Sequence, residues 1–256
     1  MHHFFVKNEQ ITEKEIYVAG DDYNHAVNVL RLRLGEEIMI SDEEGNDYIC
    51  AVIETDRDNG RLRLEIKEKK AENHELPSRI YLFQGLPKSD KMELIIQKAT
   101  ELGVSDIIPV NMKNCVTRLD PKKEESKLRR WRAVAESAAK QSKRSIVPNI
   151  GHVMSFTEAI KLAESFDVKI LPYESEDGMA GMVEAIVSFL PERDIAVFIG
   201  PEGGFDPMEV KFAKNHGVLP ISLGRRILRT ETAAIAVLSM IMIRLEIAES
   251  MGFMEE

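Results

Sequence analysis

The chain has 256 residues, 44% of them apolar and 30% charged, with a net charge of −9 at pH 7. That is the composition of a globular protein long enough for two modest domains, and no apolar run approaches the ~20 residues of a membrane-spanning helix. The start, MHHFFVKNEQ, lacks a basic segment followed by an apolar stretch, which argues against a secretory leader. Cys50 and Cys115 form neither a C-x-x-C pair nor a metal-ligand spacing, so buried, reduced thiols are expected and no metal site.

Up to about residue 75 the chain reads as short strands: EIYVAG, EEIMISD, DYICAVIE and RLRLEIKEK. Turn-rich DEEGN (42–46) and DRDNG (56–60) join them, the second ending in the Asn-Gly hairpin pair. YNHAVNVLR interrupts as a short helix. The simplest architecture is a small, partly closed β-barrel. KAENHELP (70–77) is a polar, proline-terminated linker, which places a domain boundary between residues 74 and 75.

From Ser78 the pattern alternates. RIYLFQGL, DIIPV, VKILPY, IAVFIG and LPISLG are short enough for buried strands. Between them, DKMELIIQKATELG puts Met92, Ile95, Ile96, Ala99 and Leu102 on one helical face, with Gly103 at its C-cap. Further helices are expected at 122–142, 155–165, 179–190 and 206–216. Alternating strands and helices predict an α/β domain with a mainly parallel sheet over 75–256. The last helix, from Glu231 to about Met251 with Thr230 as its N-cap, is apolar almost all round and predicts burial in a core or a subunit interface.

Charge is unevenly spread. Between Lys113 and Pro148 there are eleven Lys/Arg against four Asp/Glu, a local excess of seven in an acidic chain. Lys123, Lys127 and Arg130 share one helical face, while Leu128, Trp131, Ala135 and Ala138 share another. The stripe continues through KQSKR and suits either solvent or the phosphates of a nucleic acid.

Two glycine-bearing loops, IGPEGGF (199–205) and LGRRILRTETA (223–233), each begin where a strand ends, which is where α/β sheets bind ligands. Neither fits a P-loop or the G-x-G-x-x-G of dinucleotide folds. Taken alone, the glycines serve either tight turns or a ligand lying against bare backbone.

Together with Glu209, four residues after Phe205, these two stretches resemble the paired signature of the SPOUT methyltransferase superfamily. More narrowly, they resemble the bacterial family that methylates N3 of a uridine in 16S ribosomal RNA. HAVNVLRLRLGE (25–36), KSDKMELIIQKATELGVSDIIPV (88–110) and RWRAVAESAAKQSKRSIVPNI (130–150) resemble its remaining blocks in order. Two positions depart from the family pattern: Ser137 stands where a Glu is usual, and His3 where an Arg is frequent.

The resemblance implies a PUA-like, RNA-binding barrel over 1–74. It also implies a SPOUT methyltransferase domain over 75–256 with a deep trefoil knot, working as a cytoplasmic homodimer on 16S ribosomal RNA in the small subunit. S-adenosylmethionine would bind against Leu171, Pro172, Tyr173, Ile199, Gly200, Gly203, Gly204, Leu223, Gly224, Ile227, Leu228, Thr230 and Ala233. Uracil N3 becomes nucleophilic only when its proton leaves, so the reaction needs a base or a cation that favours the anion. Arg229 is the candidate cation, and Glu202 and Glu231 are candidate bases, although Glu231 also simply suits a helix N-terminus. Arg31, Arg118, Lys127, Arg130, Arg132 and Arg144 are candidate RNA contacts. The alternatives are an RNA-binding or assembly module without catalysis, a SPOUT enzyme with another RNA target, and a nucleotide-binding α/β enzyme.

Overall fold

Alternation of apolar and polar side chains marks two strands of the first sheet in the computed structural model, which describes residues 1–71, 74–174 and 178–252. In β2 (Glu15–Ala19) and β5 (Arg61–Lys69), Ile16, Val18, Leu62 and Leu64 are buried while their neighbours face outward. They share a core with Phe4, Ile38, Ile40, Cys50 and Val52 from β1 (His3–Phe5), β3 (Glu37–Ser41) and β4 (Asp47–Asp56). The sheet order is β1-β3-β4-β5-β2, antiparallel except for the β1–β3 pair. β1 carries too few residues to show a period, and the sequence pattern missed it. The helix expected at 23–31 is instead a short α1 (Gly20–Asn24) running into a π-turn over His25–Val29. Cys50 sits in this core, where burial pushes its thiol up to about 12.

The first unit comprises Met1–Glu75 together with Ala139–Ile146, so the division is not a single cut in the sequence. Residues 72 and 73 of the linker stretch lie outside the described residues. Arg144, expected as an RNA contact, is only 4% exposed. Its guanidinium clasps the carboxylate of Glu75, which also accepts the N–H groups of Ser145 (2.9 Å) and Ile146 (3.1 Å). A buried, paired guanidinium has no face left for a phosphate, so Arg144 is an internal tie. Next to it the Ser145 hydroxyl donates to Asp47 (2.8 Å), and the Ser41 hydroxyl donates to the other Asp47 oxygen. Because the Ser41 proton goes to Asp47, His3 Nε2 must carry a proton and donate to Ser41 Oγ (2.7 Å).

The second unit comprises Leu76–Ala138 and the chain from Val147 onward. Its strands are β6 (Arg79–Gly85), β7 (Asp106–Asn111), β8 (Asn149–Ile150), β9 (Met154–Ser155), β10 (Val168–Pro172), β11 (Asp194–Ile199) and β12 (Leu219–Ile221). All pairings are parallel, in the order β12-β10-β11-β6-β7-β8, with β9 also on β7. The central strands read as unbroken apolar runs, as strands covered on both faces must. Phe83 and Phe198 stack at 4.6 Å between β6 and β11, and Phe156 meets Phe198 edge-on.

The helices are α2 (Lys91–Glu101), α3 (Pro121–Ser142), α4 (Phe156–Leu162), α5 (Ala180–Ser188), α6 (Pro207–Asn215) and α7 (Thr230–Ser250). α2 buries Met92, Ile95, Ile96 and Ala99, and Gly103 follows its end with φ 85°. Leu128, Trp131, Ala135 and Ala138 form the buried face of α3. Among the described residues no helix is long and apolar enough to cross a membrane, and no cluster of His, Cys, Asp and Glu could hold a metal ion.

His3 gives the first unit an acid-sensitive element. Burial is the main cause that lowers its pKa from 6.5 to about 4, partly opposed by Asp47 and the Lys140 carbonyl. The unfolded chain therefore takes up a proton near pH 6.5 that the folded chain refuses until about pH 4. The stabilisation is complete above pH 6.5 and is lost as the pH falls toward 4, by up to about 3 kcal/mol. Denaturant titrations across that range should show a flatter pH dependence for His3→Asn than for the native chain.

Candidate active site at the carboxyl ends of the strands

The sheet places four strand ends, those of β6, β10, β11 and β12, on one edge, and the loops that leave them enclose a cavity of about 340 Å³. Its wall is built from Pro172 and Tyr173 at the end of β10, Ile199 to Glu202 with Gly204 and Phe205 at and beyond the end of β11, and Ser222 to Gly224 with Arg226 to Arg229 after β12. Thr230 and Ala233 close it from α7, and Lys91 from the start of α2. Both glycine loops thus line one space, along with most of the residues that the SPOUT resemblance named. Leu171 is buried in β10 behind the wall, and Gly203 faces away from the cavity.

The glycines have more local reasons than a ligand against bare backbone. A Cβ on Gly203 would stand 3.0 Å from Asn114 Cβ, where the Asn114 amide donates to the carbonyls of Gly203 and Gly204. A Cβ on Gly200 would press within 3.2 Å of the Phe205 ring. Gly204 and Gly224 are turn residues with φ 66° and 103°, and beside them there is room. A fifth glycine, Gly85 at the end of β6, lets Pro201 approach so closely that a Cβ would stand 2.7 Å from its nitrogen. Glu209 completes the capping box of α6, accepting the Asp206 N–H, and also accepts the Lys113 N–H (2.8 Å).

Thr230 holds the two loops together. It is the first helical residue of α7, and Arg229 occupies the cap position, so the expected side-chain cap is absent. The Thr230 hydroxyl instead donates to the Gly200 carbonyl (2.7 Å) and accepts from Gln84 Nε2 (2.9 Å). Gln84 is fully buried at the end of β6. One hydroxyl thereby links β6, the loop after β11 and the start of α7.

Lys91, which the sequence pattern gave no reason to single out, lies 3.2 Å from carboxylate oxygens of both Glu202 and Glu231. Glu202 also accepts the Lys88 N–H (3.1 Å). Burial alone would raise the Glu202 carboxyl, but its own and the Lys88 N–H groups and the Lys91 ammonium hold it below the usual value. A carboxylate so stabilised is a weak base. Arg229 is exposed at the mouth, and its side chain has no partner among the described residues.

Residues 74–242 match the model of the RNA methyltransferase domain family, and residues 18–65 match the RNA methyltransferase PUA domain. The chain is 36% identical over 253 residues to ribosomal RNA small subunit methyltransferase E of Bacillus subtilis, covering 96% of this chain and 98% of that one. It belongs to that family of RNA methyltransferases. The Mycobacterium bovis member is 32% identical, with 90% of this chain and 87% of that one covered. The Neisseria gonorrhoeae member, solved bound to S-adenosyl methionine, superposes with a TM-score of 0.81 at 29% identity over 93% and 95% of the two chains. A Legionella pneumophila methyltransferase in complex with the same cofactor gives 0.82 at 27% identity over 94% and 96%. The architecture is therefore a PUA-like domain and an α/β methyltransferase domain.

Replacing Thr230 by Val would leave the buried Gln84 amide and the Gly200 carbonyl short of a partner. Unfolding in denaturant should show a loss of about 2 kcal/mol, whereas Thr230→Ser, which keeps the hydroxyl, should lose much less.

Proposed function

We propose that this protein transfers the methyl group of S-adenosylmethionine to N3 of a uridine in 16S ribosomal RNA, in the cytoplasm and on RNA of the small ribosomal subunit. The observation that carries this reading is the cavity shared by the two signature loops, in a family whose Neisseria gonorrhoeae member holds that cofactor. A module that only bound RNA would have no use for such a cavity.

The lining fits the cofactor's chemistry. Ile199, Leu223, Leu228 and Ala233 offer apolar walls, and Tyr173 and the backbone at Gly200, Gly204 and Gly224 offer polar groups for its ring and amino-acid portion. S-adenosylmethionine, when bound, supplies an electrophilic methyl on a sulfonium, so the leaving thioether needs no acid. The protein's part is to hold the base in line and to favour loss of its N3 proton. Arg229 would do the second by placing a positive charge where the uracil anion forms. With Glu202 and Glu231 both engaged by Lys91, solvent is the simplest acceptor for that proton, and the glutamates set the position of Lys91 and of the loop.

N3 lies on the Watson–Crick edge, so the target must be unpaired or extruded from its helix. The PUA-like unit and the α3 region would hold the RNA. Arg31, Arg118 and Arg132 are exposed, whereas Lys127 and Arg130 already face Asp90 and Glu93. A trefoil knot is supported by the path of the chain. β12 lies beyond β10 from β11, yet the chain then returns so that Thr230 touches Gly200 at the β11 end. A homodimer is supported by apolar side chains left outside the core: Val183 and Val187 on α5, and Ile243 and Ile247 on α7.

Mass spectrometry of 16S ribosomal RNA from a strain lacking the gene should reveal one uridine without its N3 methyl group, restored by the native gene. An unchanged spectrum, or a methyl missing from another base, would overturn the reading. Arg229→Gln should lower kcat about a hundredfold. Its rate should also rise toward higher pH than the native enzyme's, because removing a cation makes the N3 proton harder to lose. Sedimentation at micromolar concentration should give a dimer, and Val187→Glu with Ile243→Glu should shift it toward the monomer.

A further inference from the structure

The basic residues of this chain fall into two groups. Among the described residues, six of the eleven Lys and Arg between Lys113 and Pro148 already hold a carboxylate within 4 Å. Just over half of the densest positive stretch is thus neutralised from within the chain, including Lys127 and Arg130 on one face of α3. In the loop between β12 and α7 the situation is reversed. Arg225, Arg226 and Arg229 are exposed, and their side chains have neither an ion pair nor a hydrogen bond among the described residues. Arg226 and Arg229 also line the cavity, and Ile227 between them is 84% exposed.

The difference matters for phosphate binding. A guanidinium paired with a carboxylate must give up that partner to take a phosphate, and the exchange gains little. A free guanidinium gains the whole interaction, in a fork that matches phosphate oxygens two at a time. Holding three free guanidinium groups within five residues of a −9 chain sets up mutual repulsion that only an anionic partner relieves. Arg226 and Arg229 line the cavity and Arg225 directly precedes them in the same loop, so the anion is one carried by whatever enters there. We propose that Arg225 and Arg226 are positioning residues that grip the RNA phosphates on either side of the nucleotide entering the cavity. This assignment rests on the reading of the protein as an RNA methyltransferase acting at that cavity. Arg229, nearest the helix, is left to face the base.

The test compares two double variants that each remove two positive charges: Arg225→Ala with Arg226→Ala, and Lys127→Ala with Arg130→Ala. Binding of a 16S ribosomal RNA fragment is measured against salt, with circular dichroism confirming the fold of each. The loop variant should bind roughly tenfold or more weakly. Its log–log salt slope should shrink by roughly 1.4 to 1.8, as expected when two phosphates are no longer neutralised by the protein. KM for RNA should rise by more than kcat falls, and lysines at 225 and 226 should restore the salt slope but only part of the affinity. The helix variant should lose less than about threefold, because its charges are already paired. Unchanged affinity in the loop variant, or an equal loss in the helix variant, overturns the assignment while leaving the methyltransferase reading intact. A native protein that neither binds nor methylates the RNA overturns both.

Discussion

The Thr230 hydroxyl touches two groups that are far from it in sequence, the Gly200 carbonyl and the amide of Gln84. Gln84 is fully buried at the end of a central strand, where an amide without a partner would cost several kcal/mol. The Gln84 amide nitrogen donates to the Gly85 carbonyl and to Thr230, and giving its second N–H that acceptor fixes where α7 starts, which fixes where the loop 222–229 must run. The cavity is what is left between that loop and the one after β11. Close approach is the second half of the same constraint. Pro201 can lie against β6 only because residue 85 has no side chain, so the loop after β11 is held tight on one side by contact and on the other by a hydrogen bond.

Electrostatics follows from this arrangement. Bringing Lys91, Glu202 and Glu231 together at the base of the loops makes a cluster with one ammonium and two carboxylates. Arg226 and Arg229 line the same cavity, Arg225 precedes them in the loop, and no carboxylate among the described residues answers the three. The net charge of −9 therefore says little about what this protein can bind. Several of its acidic residues are spent on basic ones along α3, and Arg226 and Arg229 stand uncompensated at the cavity. The chemistry proposed for Arg229 depends on this, since a cation already neutralised would do little for a uracil anion.

The glycines show how a motif can be right in place and different in cause. The run at 200–204 does line a cavity, but Gly200 and Gly203 are small because Phe205 and Asn114 leave no room for a side chain. Only Gly204 and Gly224, with positive φ and open space beside them, fit the idea of a backbone free to meet a ligand.

Periodicity and composition alone determined the α/β class, a β-rich first part, and nearly every helix and strand from Ser78 onward, because each buried face repeats at its own local period. The signature stretches, through their family resemblance, pointed to a methyltransferase of ribosomal RNA, and 223–233 proved to line the same cavity as 199–205. What sequence could not determine is which distant charges meet. Arg144 reads as one more member of a basic stripe, yet it is buried on Glu75, because residues 139–146 return to the first unit. Lys91 reads as an ordinary first-turn lysine, yet it joins the two glutamates, because α2 and α7 start at the same edge of the sheet. Local patterns fix which face of an element is buried, but the partner of a charged side chain is fixed only when the whole chain has closed.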